Sequence, residues 1–152
     1  MKNWSLGTLS IDVTLGDIDD SEIDVVVKMK DIAIGSKEAQ FTVREGSNAK
    51  EVLYWPGLSI SSPDRRSAIY SAAISALQTA DGCDAKRVGF FTMGFEVSRI
   101  PSWEVAEEII RAIISHSKSD SRISDIILVA SSPIQLSSFQ FALNNVATIV
   151  PK

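Results

Sequence analysis

The chain has 152 residues, of which 45% are hydrophobic and 22% charged, a composition typical of a globular domain that buries its own core. The formal net charge of −4 argues against a nucleic-acid partner, which would require basic residues to neutralise phosphates. The lone Cys83 cannot form an internal disulfide or a thiol-based zinc site, which favours a reducing compartment. Because no apolar run reaches membrane-spanning or signal-peptide length, we expect a cytoplasmic protein. We expect one domain over residues 1–152, without a metal or resident cofactor.

The first part of the chain predicts strands. Leu9 to Thr14 and Ala39 to Val43 alternate between apolar and polar residues, as half-exposed strands do. Ile23 to Val27 is a short apolar run, which suits a strand covered on both faces. Val52 to Trp55 predicts one more short strand.

Helices and strands then alternate. Apolar residues at helical spacing predict helices near 63–81, 102–117 and 133–145. A serine and a proline stand at each start, and we expect Ser62 and Ser102 to cap the first two helices and Gly82 to end the first. Strands are expected at Val88–Phe91 and Ile126–Val129, with Ala147–Val150 returning at an edge.

This order of elements predicts an α/β fold with a mixed sheet and right-handed crossovers in its second half. Ligands of open α/β sheets bind beyond the carboxyl ends of the parallel strands. A site is therefore expected in the loops that follow Val27, Phe91 and Val129.

Those loops carry a family resemblance. Gly16-Asp17-Ile18 between two strands, the second running from Ile23 to Val27, resembles the opening of a macro domain. The stretches around Gly35 to Thr42, Ala49 to Tyr54 and Arg87 to Pro101 resemble later motifs of that family in order. The resemblance implies a macro-like mixed sheet flanked by helices in three layers, and a site for ADP-ribose or a related adenine nucleotide.

One departure from the family is a missing segment. The family continues its second strand into Asn-Ala-Ala-Asn, a Gly-rich loop and a helix, whereas here Val27 is followed by Lys28-Met29-Lys30-Asp31. The asparagines and the loop that lets backbone N–H groups approach a pyrophosphate are absent. We therefore expect weak nucleotide binding, negligible hydrolysis and one sheet face depleted of helices.

The resemblance implies ligand-binding positions in two loops. Asp17, followed by Ile18, would accept a hydrogen bond from an adenine amino group, although the preference of aspartate for turns alone explains it readily. The loop from Thr92 to Arg99 would face the phosphates, and Glu96 there places a negative charge close to them. Its binding candidates are Thr92, Met93, Gly94 and Phe95; the alternative is an ordinary strand-to-helix connection.

Catalytic residues are not evident. Ala130-Ser131-Ser132 supplies no aromatic ring where the family often stacks adenine. His116, the only histidine, is predicted at a helix C-terminus, at the wrong end of the strands for catalysis. No Ser/His/Asp set or pair of metal-ligating residues stands out, so the sequence favours a binding protein over an enzyme.

The alternative function is an interaction or assembly protein that keeps the scaffold without the pocket. The helix that would follow Val27 is missing, so one face of the apolar strand that ends there is uncovered. Large apolar surfaces of soluble proteins are normally covered. We therefore expect a two-fold homodimer through the sheet face near Met29, Ile32 and Trp55-Pro56-Gly57-Leu58.

Overall fold

The computed structural model describes residues 2–16, 18, 20–29, 32–34, 41–43 and 49–145. Its strands are β1 (Lys2–Leu6), β2 (Leu9–Leu15), β3 (Val25–Lys28), β4 (Ile32–Ile34), β5 (Phe41–Val43), β6 (Glu51–Tyr54), β7 (Arg87–Phe91) and β8 (Asp125–Ala130). Its helices are α1 (Arg65–Gly82), α2 (Met93–Val97), α3 (Ser102–Ser117) and α4 (Pro133–Asn144). Ala147–Val150, predicted as an edge strand, lies outside the described residues.

Six of the strands form one mixed sheet in the order β1-β2-β8-β7-β3-β6. β1 pairs antiparallel with β2, and the remaining pairs are parallel. β4 and β5 pair only with each other in the described part of the chain. The predicted adjacency of the strands ending at Val27, Phe91 and Val129 is confirmed, because β3, β7 and β8 are consecutive neighbours.

The three predicted helices are present, α3 with its predicted bounds, but the start of α1 and the expected serine caps differ, and α2 was not predicted. α1 begins at Arg65 rather than after a Ser62 cap, because the Ser62 hydroxyl accepts the Ser59 N–H within the preceding turn. Ser102 is the first residue of α3 rather than its cap, since the Pro101 carbonyl accepts the first N–H groups of that helix. Ser132 caps α4 with its side chain, at 3.3 Å from the Gln135 nitrogen.

The main core lies between the sheet and the three long helices. Alternate strand residues such as Val27, Phe90 and Leu128 are buried against apolar residues of α1, α3 and α4. The helical spacing of Ile69, Ala73, Ala76, Leu77 and Ala80 on α1, and of Val105, Ile109 and Ile113 on α3, places these residues on this one face.

The opposite face of the sheet carries a smaller apolar cluster. Val26, Phe91, Ile127 and Val129 are buried there with Ile23, and Ile18 packs against them. A buried ion pair lies on the same side, with Lys28 Nζ 2.9 Å from Asp20 and 4.3 Å from the centre of the Phe91 ring. Within the described ranges no long helix packs on this cluster, so the expected depletion of helices on one face is observed.

The burial of β3 changes the argument for a dimer. Val25, Val26 and Val27 are all buried within one chain, so this apolar strand does not need a second copy to cover it. Further along the same face, β1 and β2 present polar side chains, with Asn3 bonding Ser10 and Asp12. A polar surface needs no helix over it.

None of the helices in the described residues is long and apolar enough to span a bilayer.

Candidate functional site

A cavity of about 220 Å3 opens where β2, β8 and β7 end at their carboxyl edge. It is the place where open α/β sheets bind ligands. Gly16 bends the chain out of β2 with a φ of +87°, a left-handed conformation that favours glycine. The lining residues are Gly16, Phe91, Thr92, Met93, Val129, Ala130 and Ser131.

A buried glutamine of α4 holds two of these strand ends together. Gln135 Oε1 lies 2.8 Å from both the Ser131 nitrogen and Thr92 Oγ1, and its Nε2 donates to the Thr92 carbonyl at 2.8 Å. The Ser131 hydroxyl also lies 3.0 Å from the same oxygen. Gln135 therefore positions the floor of the cavity without lining it. The sequence gives one weak signal for it, a polar residue on the buried side of a helix.

The residues expected to form a phosphate-binding loop form a short, packed helix instead. Residues 93–97 form the short helix α2, and the Phe95 nitrogen bonds the Thr92 carbonyl. Gly94 is buried, and a Cβ added there would lie 2.5 Å from Met29 Cγ and 2.7 Å from Met29 Cβ. Met29, which follows β3 where the family has its asparagine motif, thus fills the space that the absent Cβ leaves at Gly94.

Phe95 faces the core rather than the cavity. Its ring is fully buried, with its centre 5.1 Å from that of Trp55. Trp55 in turn packs on Phe90 and donates its indole N–H to the Phe91 carbonyl at 2.8 Å. Because Trp55 and Met29 are buried inside one chain, they cannot anchor the dimer interface expected at the sheet face.

A carboxylate of α2 lies beside the N-terminus of α4. The Glu96 side chain accepts a hydrogen bond from the hydroxyl of Ser132, the cap of that helix. Negative charge is favourable beside a helix N-terminus, so Glu96 is stabilised at a position that would otherwise attract an anion. A phosphate brought to this edge would meet the Glu96 charge.

The other predicted binding residues are distributed as follows. Asp17 lies outside the described residues. Ile18 packs on the small apolar cluster and does not line the cavity. Thr92 is buried with its hydroxyl bonded to protein, whereas Met93 is 41% exposed and stands at the cavity wall. The structure therefore brings Thr92 and Met93 to the cavity together with Gly16 and Ser131, which were not predicted as ligand contacts.

Two carboxylates with lowered pKa values, Asp24 and Asp81, lie at the opposite end of the sheet. Asp24 accepts the Lys86 and Arg87 backbone N–H groups at 2.9 and 3.1 Å, and these bonds lower its pKa despite partial burial. Burial alone would raise the pKa of Asp81, but the Arg122 N–H, the Ser121 hydroxyl and His116 hold it below its usual value. His116 Nε2 lies 2.6 Å from Asp81, so this histidine joins α3 to α1.

The described residues that line the cavity carry few polar groups. Its seven lining residues supply two hydroxyl groups and no titratable side chain. Among the described residues there is no group of three or more His, Cys, Asp or Glu side chains that could hold a metal ion. Such a surface can hold a small flat ligand by contact and backbone hydrogen bonds, and these seven described residues include no side chain of a general acid or base.

The architecture is that of an α/β protein with its cavity at the carboxyl ends of parallel strands. Compared with solved structures, it has the macro-domain fold. An Oceanobacillus iheyensis macrodomain with ADP is 12% identical with a TM-score of 0.77, covering 98% of this chain and 97% of that one. A glycine-to-valine mutant of that macrodomain with ADP-ribose is 11% identical with a TM-score of 0.74, covering 97% and 98%. No family model matches the chain, and no curated protein matches it.

Proposed function

We propose that this protein is a reduced nucleotide-binding module. It holds the base end of ADP-ribose or a related adenine nucleotide weakly in the cavity beside Gly16 and Ser131. The observation that supports this most directly is the cavity itself, at the edge where the fold binds ligands. The neighbouring macrodomain structures with ADP and ADP-ribose show that this fold accommodates such nucleotides in that protein.

The size of the cavity limits what it can enclose. At about 220 Å3 it is smaller than the roughly 300–1,000 Å3 of cavities that bury drug-sized ligands. A base with about ten non-hydrogen atoms, at roughly 0.4 kcal/mol each, gives a Kd on the order of 1 mM. Because Met29 and Glu96 occupy the region expected for phosphates, a longer nucleotide should gain little affinity over adenosine.

The binding test is a nuclear magnetic resonance titration with adenosine, AMP, ADP and ADP-ribose. We expect similar weak affinities across the series, with shifts at Gly16, Met93 and Ser131. Met93→Glu should weaken the three phosphorylated ligands by charge repulsion, and Asp17→Ala should weaken all four. Ser75→Glu, the same charge change on the exposed side of α1, is the control. Tight binding that ignores both site variants would place the ligand elsewhere, and absence of binding at millimolar concentration would refute the proposal.

Hydrolysis of ADP-ribosyl esters or of ADP-ribose 1''-phosphate should be negligible. The physical reason is that the sequence after Val27 has neither the asparagine pair nor the Gly-rich loop of macro domains. The described residues that line the cavity also include no titratable side chain to activate water. Product release can be followed by chromatography over hours with purified protein. Steady turnover that a substitution within this chain abolishes would contradict this expectation.

A second candidate function is assembly, in which the scaffold is kept and the pocket is secondary. The packing of Met29 on Gly94 favours it, because that contact closes the phosphate region with apolar protein. A homodimer and a cytoplasmic location belong to this proposal, the latter because Cys83 is the only cysteine. Failure of every nucleotide titration with an intact fold would favour this candidate over the first.

A further inference from the structure

The most exposed large apolar side chains lie on the outer side of α3 and α4. Ile134 and Phe141 are each 70% exposed, and Trp103 is 53% exposed. Together they line a groove of about 540 Å3 between the two helices, which we call the α3–α4 groove. Its lining residues are Trp103, Glu107, Pro133, Ile134, Ser137, Ser138, Phe141 and Ala142.

These side chains form one apolar patch of a size that is often functional. Since large side chains present roughly 200 Å2 each, these exposed fractions leave about 400 Å2 of apolar surface in one patch. A stable interface buries about 800 Å2 on each partner, with its centre more apolar than its rim. The α3–α4 groove thus supplies about half of the area that each copy of a dimer needs, in the form of an apolar centre.

The exposed stripe of α4 is self-complementary, so two copies of it can pair in an antiparallel arrangement. Ile134, Ser137, Ser138 and Phe141 follow at i, i+3, i+4 and i+7, so two large residues flank two small ones on one stripe. In an antiparallel pair with a two-fold axis between Ser137 and Ser138, each Ile134 faces Phe141 of the other copy. The serines at the axis allow the helices to approach closely, and residue i meets residue j in both directions, as an isologous contact requires.

Electrostatics does not oppose such a contact. The only charged residue among those lining the groove, Glu107, already lies 3.0 Å from Arg66 and 3.8 Å from Arg111. Arg66 also lies over the Trp103 ring, with 5.2 Å between its guanidinium carbon and the ring centre. A second apolar surface would therefore bury no unpaired charge, and tryptophan is a residue type that often anchors interfaces.

We propose that the α3–α4 groove is the contact surface for a second copy of this chain, with two antiparallel α4 helices at its centre. This proposal does not depend on nucleotide binding. It replaces the sheet-face interface predicted from the sequence, whose residues Met29 and Trp55 are buried in one chain.

The test is sedimentation velocity and light scattering of the full chain from low to high micromolar concentration. We expect the wild type to show twice the 16.5 kDa mass of one chain. Ile134→Glu and Phe141→Glu should each weaken association at least about tenfold, the size of effect expected for residues at the centre of an interface. Ile60→Glu, at an exposed isoleucine outside the groove, is the matched control and should remain dimeric.

A crosslinking experiment checks the register and does not depend on the stability of the charged variants. In a Cys83→Ala background, Ser138→Cys should form a disulfide-linked dimer under mild oxidation, whereas Ser75→Cys on α1 should not. A monomeric wild type at all concentrations would overturn the proposal, even if the groove then bound another protein. A dimer that survives both glutamate variants and fails to crosslink at Ser138→Cys would overturn it as well.

Discussion

The contact between Gly94 and Met29 predicts that Gly94→Ala destabilises the fold. The added methyl group would lie 2.5 Å from Met29 Cγ and Cε and 2.7 Å from Met29 Cβ. Rotation about the first side-chain bond moves Cγ and Cε but leaves Cβ in place, so the backbone must also shift. Overpacking of this kind costs about 1–3 kcal/mol, which exceeds the gain of up to about 1 kcal/mol from replacing glycine in a helix. We expect a net loss of about 1–2 kcal/mol.

Urea and thermal unfolding followed by circular dichroism measure this loss. For a chain of this size the net change corresponds to a decrease in Tm of about 2–8 °C. Gly57→Ala is the matched control, since a Cβ there meets no atom within 4 Å. A variant Gly94→Ala as stable as Gly57→Ala would refute the reasoning.

A double-mutant cycle identifies the partner. Met29→Ala alone removes a buried side chain and should cost about 2–4 kcal/mol. Combined with Gly94→Ala it should cost less than the sum of the two, because the new methyl group then enters the space that Met29 leaves. Strict additivity would mean that the two residues do not share that space.

Two further stability predictions concern hydrogen-bonded side chains. Gln135→Ala should destabilise the protein by about 1–3 kcal/mol in urea unfolding, because it removes the acceptor of the Ser131 N–H and one donor to the buried Thr92 carbonyl, whereas the exposed Gln78→Ala should have little effect. Asp24→Asn should lower the unfolding free energy by about 1–2 kcal/mol at neutral pH. The pKa of Asp24 is lower in the folded state than its usual value of 3.8. The stability that the Asp24 carboxylate contributes is therefore fully present above pH 3.8 and is lost as the pH falls through the folded pKa. The wild type and Asp24→Asn should therefore converge in stability in acid, and a constant difference down to pH ~2 would contradict this assignment.

Much of the fold could be predicted because its elements satisfy local rules. α3 carries apolar residues at helical spacing and was predicted with its observed bounds, and β8 is a buried apolar run as expected. β1 was missed because its alternation is short: only Trp4 and Leu6, which pack on the core, alternate with polar residues. Its pairing with β2 is a tertiary effect. The start of α1 was misplaced because Ser62 has a turn donor, the Ser59 N–H, that competes with the role of cap.

The site was less predictable because its important contacts join residues far apart in the chain. A glycine at position 94 suggests close approach of a ligand, but the sequence does not tell whether the approaching group is a phosphate or Met29. Phe95 likewise reads as a residue available for stacking, and only the positions of Trp55 and Phe90 show that its ring belongs to the core. Gln135 could not be identified, since its role depends on Thr92 and Ser131 ending on neighbouring strands.

The cavity near Gly16 and the packing at Gly94 depend on different residues. Met29 fills the space beside Gly94, where a void of methyl size or larger would be destabilising, and the Phe95 N–H bonds the Thr92 carbonyl at the start of α2. The cavity is lined instead by residues at the ends of β2, β7 and β8, such as Gly16 and Ser131. Ligand binding at the cavity and packing at Gly94 should therefore be separable. Met93→Glu tests the binding, and Gly94→Ala tests the packing.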